Sequence, residues 1–100
     1  MTEISKIDNI AIVKPDQAIV ASTTVELRNT LKKVLDEGAA GIVIDLADVD
    51  MIDSSGLGVL VATHNSLKKI DRDLELNNCN DDIRKLFNNM RLDQHFKINE

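Results

Sequence analysis

The chain has few of the residues that build cross-links or aromatic sites. Its 100 residues include one cysteine, one proline, two phenylalanines and no tryptophan or tyrosine. Because Cys79 has no second cysteine to pair with, an internal disulfide is excluded, which is compatible with a reducing cytosol. Aliphatic side chains must therefore form the core, and a chain of this length predicts one domain that spans residues 1–100.

Basic residues are also scarce, since 12 Lys and Arg face 17 Asp and Glu for a net charge of −5. No basic stripe is present to neutralise phosphates, so we expect no direct binding of nucleic acid. No apolar run approaches the roughly 20 residues that a membrane-spanning helix needs, and no basic segment precedes an apolar stretch at the N-terminus. We expect a cytoplasmic protein that does not bind membranes.

Catalytic motifs are missing as well. His64 and His95 lie far apart in the sequence and belong to no ligand-spaced motif, so we expect no metal site built on them. His64 completes the apolar face of a predicted helix, and His95 is expected in a solvated tail. Without a glycine-rich phosphate loop the chain should not hydrolyse nucleotides. These observations predict a protein that is not an enzyme and needs no cofactor.

Four aspartates follow closely on one another in the middle of the chain. Clustered carboxylates could hold Mg²⁺ or accept a phosphoryl group, as in a receiver-like domain. Receiver-like domains carry an acidic pair after the first strand, whereas here the first two predicted strands end in Asp8-Asn9 and Lys14-Pro15. Turns and helix starts, where aspartate is common, are the favoured interpretation. The four residues are Asp45, Asp48, Asp50 and Asp53.

Short strands and helices alternate along the sequence. Residues 4–7 and 10–14 predict a hairpin, and Thr23 with Glu26 has the spacing of a capping box before a helix that ends before Gly38. The apolar stripe of this helix is Leu27, Leu31, Val34 and Leu35. Residues 42–46 form a β-branched run typical of a strand covered on both faces. The order continues with a helix from near Ser54, a strand at 74–76 and a helix at 81–89. The apolar stripe of the helix at 81–89 is Ile83, Leu86, Phe87 and Met90. A last element is predicted at Leu92, Phe96 and Ile98.

This order predicts an α/β fold. We expect a mixed, mostly parallel sheet of four to five strands with an N-terminal hairpin, packed with three or more helices.

The junction between the central strand and the next helix is the most informative segment. Asp53 or Ser54 can cap the helix, and the positive end of the helix dipole favours an anion there. Gly56 and Gly58 weaken the helix but offer bare backbone that another surface can approach. The alternative interpretation is that the aspartate or serine is only a cap and that the glycines only accommodate packing.

The run Met51-Ile52-Asp53-Ser54-Ser55-Gly56-Leu57-Gly58-Val59-Leu60 closely resembles the signature of STAS domains, in particular of the small anti-sigma factor antagonists of bacteria. The resemblance extends through most of the chain. It implies a STAS-like fold in which Ser54 is phosphorylated by a partner that is both an anti-sigma factor and a serine kinase. Ser55 is the second candidate.

The resemblance also implies a function. The unmodified protein would bind the anti-sigma factor and so free a sigma factor, phosphorylation would release the partner, and a serine phosphatase would act on the phosphorylated form. The partner-binding residues that follow from it are Asp53, Ser54, Ser55, Gly56, Leu57 and Gly58.

One segment departs from the family. Similar antagonists carry a Gly-x-Leu-Asp-like stretch after the second strand, where this chain has Pro15-Asp16-Gln17-Ala18-Ile19-Val20. The partner could therefore be a variant kinase, or the output could be something other than a sigma factor. The second function class is a STAS module of another signalling or transport complex, whose loop binds without being phosphorylated.

Overall fold

The fold is built on a single sheet of five strands. The structure is a computed structural model and describes residues 2–99. The spatial order follows the chain order, β1-β2-β3-β4-β5. β1 is antiparallel to β2, and the other neighbouring pairs are parallel. The mixed, mostly parallel sheet expected from the sequence is confirmed. The strands are β1 Glu3–Ile7, β2 Ile10–Lys14, β3 Gly41–Asp45, β4 Leu74–Asn77 and β5 Lys97–Ile98.

The strand order excludes the receiver-like alternative. Doubly wound sheets of that kind have the order 2-1-3-4-5. Here the first strand lies at the edge and pairs with the second through a two-residue turn, with Asp8 at φ 51° and Asn9 at φ 66°. Two consecutive residues with positive φ are typical of a type I′ hairpin turn, whose twist matches that of the strands.

Three helices and one short 3₁₀ turn connect the parallel strands. Of the apolar stripe predicted for the first helix, Leu27, Leu31 and Val34 are buried and Leu35 is partly buried. Gly38 follows that helix at φ 86°, the left-handed conformation that often ends a helix. The predicted third helix is confirmed. The bounds are α1 Thr24–Asp36, α2 Ser54–Lys68, α3 Asp81–Asn89 and the 3₁₀ turn Leu92–Gln94.

The predicted capping box at the start of α1 is wrong. The Oγ1 of Thr23 donates to the carbonyl of Ala18 at 2.8 Å and accepts from the amide of Val20 at 3.0 Å. No side-chain cap hydrogen bond forms at this helix start, and Thr23 itself has helical backbone angles. The threonine is used by the preceding loop instead, because the loop turns back on itself between Ala18 and Thr23.

In β2, β3 and β4, one face of the sheet is buried and the other is only partly buried, whereas β1 is exposed along its whole length. The expectation that the central strand is covered on both faces is wrong, since Val43 and Asp45 are only partly buried. The neighbouring Ile12 and Glu75 are partly buried too, so this second face of the sheet keeps contact with solvent. The buried face contributes Ala11, Val13, Ile42, Ile44, Leu74 and Leu76 to the core.

The C-terminal part closes the core with aromatic rings. Phe87 of α3 and Phe96 are buried, and their rings meet edge-on with centroids 5.9 Å apart. Met90, predicted in the buried stripe of α3, is exposed because the helix ends at Asn89 and Met90 follows it. The last element is confirmed as the 3₁₀ turn and β5. Between residues 2 and 99, no helix combines the length and apolar character needed to cross a membrane.

Candidate functional site

The loops that follow β2, β3 and β4 meet at the carboxyl ends of these parallel strands. The loop after β3 leads directly into α2, so Ser54 begins its helix at this edge of the sheet. Asn80, from the loop after β4, places its Nδ2 3.5 Å from the carbonyl of Asp50. Open α/β sheets commonly bind ligands and partners at this edge.

Asp53 joins the start of α2 to the loop after β2. Its backbone is extended, and its Oδ1 accepts from the amide of Gly56 at 2.9 Å. Its Oδ2 accepts from the amide of Ala21 at 3.1 Å. Of the two cap candidates in the sequence, Asp53 is therefore the cap, and the same carboxylate holds a second segment.

Ile19 joins the same two segments through its backbone. Its amide donates to the carbonyl of Met51 at 3.0 Å, and its carbonyl accepts from the amide of Asp53 at 3.2 Å. These bonds form an isolated parallel bridge between Ile19 and Ile52. The Pro15–Val20 segment thus lies against the signature run. Sequence reasoning missed this role of Ile19, and its one signal was the short apolar run Ala18-Ile19-Val20 after the polar Asp16-Gln17.

The two glycines of the signature serve different purposes. A Cβ on Gly56 would lie 2.3 Å from the carbonyl oxygen of Ile19 and 2.8 Å from Cγ2 of Ile52. Gly56 is therefore required by the chain's own loop, and it is buried together with Leu57. Gly58 is exposed, and a Cβ there would have nothing within 4 Å. Only Gly58 leaves bare backbone open to another surface.

Ser54 and Ser55 are exposed as the first two residues of α2. Within residues 2–99, no acceptor satisfies the amide of either serine, whereas Asp53 satisfies those of Gly56 and Leu57. Unpaired amides and the helix dipole favour an anion at this point. Met51, with 53% of its surface exposed, adds an apolar side chain to the signature surface.

Three of the four clustered aspartates, Asp45, Asp48 and Asp53, have side-chain contacts within the fold, whereas Asp50 is exposed. The Oδ1 of Asp45 accepts from the amide of Ala47 at 3.0 Å and from Nδ2 of Asn78 at 2.9 Å. Asp48 lies 3.8 Å from the Nζ of Lys14. In the part of the chain that the structure describes, no three His, Cys, Asp or Glu side chains are grouped so as to hold a metal ion.

The two histidines, distant in the sequence, are neighbours in the fold. Their ring centroids lie 5.7 Å apart, with His64 buried and His95 exposed. Sequence reasoning placed His64 correctly on a buried helix face but missed the contact with His95. Cys79 is buried after β4, and burial raises the pKa of its thiol.

The fold and the site together define a small α/β domain that presents a pair of serines at a helix start. The STAS domain family model matches residues 1–100, so the chain belongs to the STAS domain family. It is related within that family to anti-sigma factor antagonists, which are regulatory proteins rather than catalysts.

Named relatives support this placement. The anti-sigma-B factor antagonist of Staphylococcus aureus is 30% identical over 93 residues, which is 93% of this chain and 86% of that protein. A crystal structure from Thermotoga maritima, assigned as an anti-sigma factor antagonist, has a TM-score of 0.94 at 23% identity and covers 99% of this chain and 86% of that one. Unphosphorylated SpoIIAA has a TM-score of 0.80 at 15% identity, with coverages of 100% and 88%. The two solved structures share the fold.

Proposed function

We propose that this chain is a phosphorylation-switched interaction protein of the cytoplasm. In its unmodified form it binds an anti-sigma factor that is also a serine kinase, and so frees a sigma factor. Phosphorylation of Ser54 releases the partner. The observation that carries this proposal is the exposed serine at the start of α2, in a chain 30% identical to anti-sigma-B factor antagonists.

Ser54 is favoured as the acceptor because a kinase can reach it and the fold can tolerate its modification. It is exposed, it follows the cap residue Asp53 directly, and it lies at the positive end of the helix dipole. Ser55 shares the exposure and is the second candidate. A solved form of SpoIIAA is described as phosphorylated, which shows that a protein with this fold can carry a phosphoryl group.

The charge of the phosphate accounts for release of the partner. A phosphoserine adds about −1.5 to −2 charges and three acceptor oxygens. Asp53 lies next to Ser54 in the sequence and the exposed Asp50 lies close by, so the modified surface becomes strongly anionic. A partner that covers Met51 and Gly58 with a closely packed surface must then desolvate this charge. The affinity falls, while the fold remains intact.

The proposal assigns all chemistry to the partners. The kinase supplies phosphoryl transfer, and a serine phosphatase resets the switch by acting on the phosphorylated form. We expect the chain itself to have no ATP or GTP turnover. Hydrolysis that survives rigorous purification and disappears when the aspartates between Asp45 and Asp53 are replaced would overturn this expectation.

Kinase treatment followed by mass spectrometry tests the proposal. The purified chain is incubated with a candidate anti-sigma kinase and ATP, and the modified residue is located in the peptide that contains Ser54 and Ser55. We expect one phosphate, on Ser54. Phosphate on Ser55 or on an aspartate, with Ser54 bare, would contradict the assignment. Stable binding without any phosphorylation would favour the alternative, a STAS module of another complex.

A further inference from the structure

A buried histidine lies between α2 and the C-terminal segment. His64, in the second half of α2, has 7% of its surface exposed. Its ring meets that of Phe96 almost edge-on at 5.5 Å between centroids, and that of His95 at 5.7 Å. Phe96 is itself buried at 3% exposure. The segment that leads from the 3₁₀ turn into β5 is therefore packed directly on this imidazole.

The surroundings of the imidazole favour its neutral form. The Nδ1 of His64 is buried and has no hydrogen-bond partner within residues 2–99. A proton on that nitrogen would create a buried donor without an acceptor, in addition to a buried charge. The unpaired donor and the buried charge each raise the free energy of the closed state, whereas in an open state water hydrates the protonated ring and this cost is absent.

On balance, the charged groups around His64 also oppose its protonation. They line a common cavity of about 280 Å³, to which α2 contributes Lys68, the segment before β5 contributes His95, and β5 contributes Lys97. Asp73, before β4, is the one carboxylate among the lining side chains that the structure describes, and it pairs with Lys68. Burial, His95 and Lys68 lower the pKa of His64, and the opposing effect of Asp73 is smaller.

We propose that His64 is a pH-sensitive latch: the neutral imidazole holds the Leu92–Ile98 segment against α2, and protonation releases it. The latched state has the lower pKa, so the released state binds more protons at mildly acidic pH. Release therefore starts as the pH falls through about 6.5, the ordinary value of histidine, and levels off below the lowered pKa of the latched state. This switch is independent of the phosphorylation proposed for Ser54.

Hydrogen exchange between pH 8 and pH 5.5 tests the latch. The amides of Phe96 and Asn99, which bond to the carbonyls of Leu92 and Leu76 at 2.9 Å each, report on the segment, and amides of α1 are the internal reference. Relative to α1, we expect their protection to fall at acidic pH. The loss should approach a factor of about ten for each pH unit between the pKa values of the released and latched states.

Two variants separate His64 from its neighbour. His64→Phe keeps a ring against Phe96 but cannot be protonated, so it should keep the segment protected at pH 5.5. The matched control His95→Gln removes the exposed histidine, and it should retain the loss of protection. The latch is refuted if protection in the original chain does not change with pH, or if His64→Phe shows the same loss.

A direct titration keeps the proposal testable if His64→Phe does not fold. NMR of the imidazole protons in the unaltered chain gives the pKa of His64. We expect it below 6.5, with loss of protection of Phe96 and Asn99 over the same pH range. A pKa at or above 6.5, or a titration of His64 that leaves both amides protected, would overturn the proposal.

Discussion

At the scale of single residues, Asp53 has the largest structural role in the site. One carboxylate oxygen caps α2 through Gly56, and the other holds the amide of Ala21 in the loop after β2. The residue therefore fixes the position of Ser54 relative to a second segment of the surface. Its place in the signature has a structural reason that does not depend on any partner.

Replacing Asp53 should destabilise the fold. Asp53→Ala removes the cap and leaves the Ala21 amide without its acceptor, and a lost cap alone costs about 0.5–2 kcal/mol. We expect a loss of about 1–2 kcal/mol in the free energy of unfolding, measured by urea denaturation. The matched control is Asp50→Ala, since Asp50 is exposed. Equal effects of the two substitutions would show that the two hydrogen bonds contribute nothing.

In the proposed switch, Ser54 is the residue that is modified. Ser54→Ala should fold, bind the kinase permanently and resist phosphorylation, because the hydroxyl is lost while the surface keeps its shape. Ser54→Glu should fold and bind weakly, with a smaller effect than true modification because a carboxylate has less charge than a phosphate. Binding is measured by titration calorimetry. Ser55→Ala is the control and should remain a substrate, so loss of phosphorylation in this variant would move the assignment to Ser55.

A substitution at Gly58 should have opposite effects on the stability of α2 and on the affinity for a partner. It is exposed within α2, and a Cβ there would meet nothing within 4 Å. Gly58→Ala should raise the free energy of unfolding by about 0.5–1 kcal/mol through helix propensity. It should also weaken partner binding, because the methyl group occupies surface that the partner must approach. Thermal melts and titration calorimetry test this, and unchanged affinity in a more stable variant would show that Gly58 serves only the fold.

At the scale of elements, the loop after β2 and the start of α2 form one unit. The backbone of Ile19 bridges to Ile52, and Gly56 allows the Ile19 carbonyl to approach α2. The Pro15–Val20 segment, where the sequence departs from similar antagonists, therefore lies beside the signature. A partner that covers Ser54 would also contact this segment. The different sequence of the segment can therefore change which partner binds.

Gly56→Ala should disturb this unit. The added Cβ would lie 2.3 Å from the Ile19 carbonyl oxygen, so the backbone of the loop must move. We expect a loss of about 1–3 kcal/mol in the free energy of unfolding, the usual range for overpacking. Hydrogen exchange should accelerate at the amides of Ile19 and Asp53, which bond across the bridge. Gly58→Ala is the matched control, and similar exchange in both variants would contradict the assigned role of Gly56.

The elements that the sequence predicted correctly are those with local signals. The hairpin at Asp8-Asn9, the stripe of α1 and the bounds of α3 depend on residues a few positions apart. The capping box failed because Thr23 has a better use for its hydroxyl in the preceding loop. In the site, too, only local features could be predicted, namely the cap Asp53 and the two serines that follow it. The contact of Ile19 with Gly56 could not be predicted, because the two residues are 37 positions apart in the sequence and no local pattern connects them.

At the scale of the whole molecule, α2 connects two separate features. Ser54 begins the helix and His64 lies ten positions later in the numbering, about 15 Å along the axis. Ser54 is exposed, whereas His64 is buried against the C-terminal segment. A phosphate at the helix start is therefore well removed from the residues that close the core.

Phosphorylation should therefore change binding much more than stability. The modified serine is exposed, lies beside unpaired amides and is distant from Phe87 and Phe96 in the core. We expect the free energy of unfolding to change by less than about 1 kcal/mol, because attraction of the phosphate to the helix dipole and its repulsion by Asp53 act in opposite directions. The affinity for the kinase should fall about 5-fold to 150-fold, the usual range of coupling in regulation. Urea denaturation and calorimetry on modified and unmodified chain measure the two effects, and a phosphorylated chain that unfolds much more easily would mean that release follows from loss of structure rather than from charge.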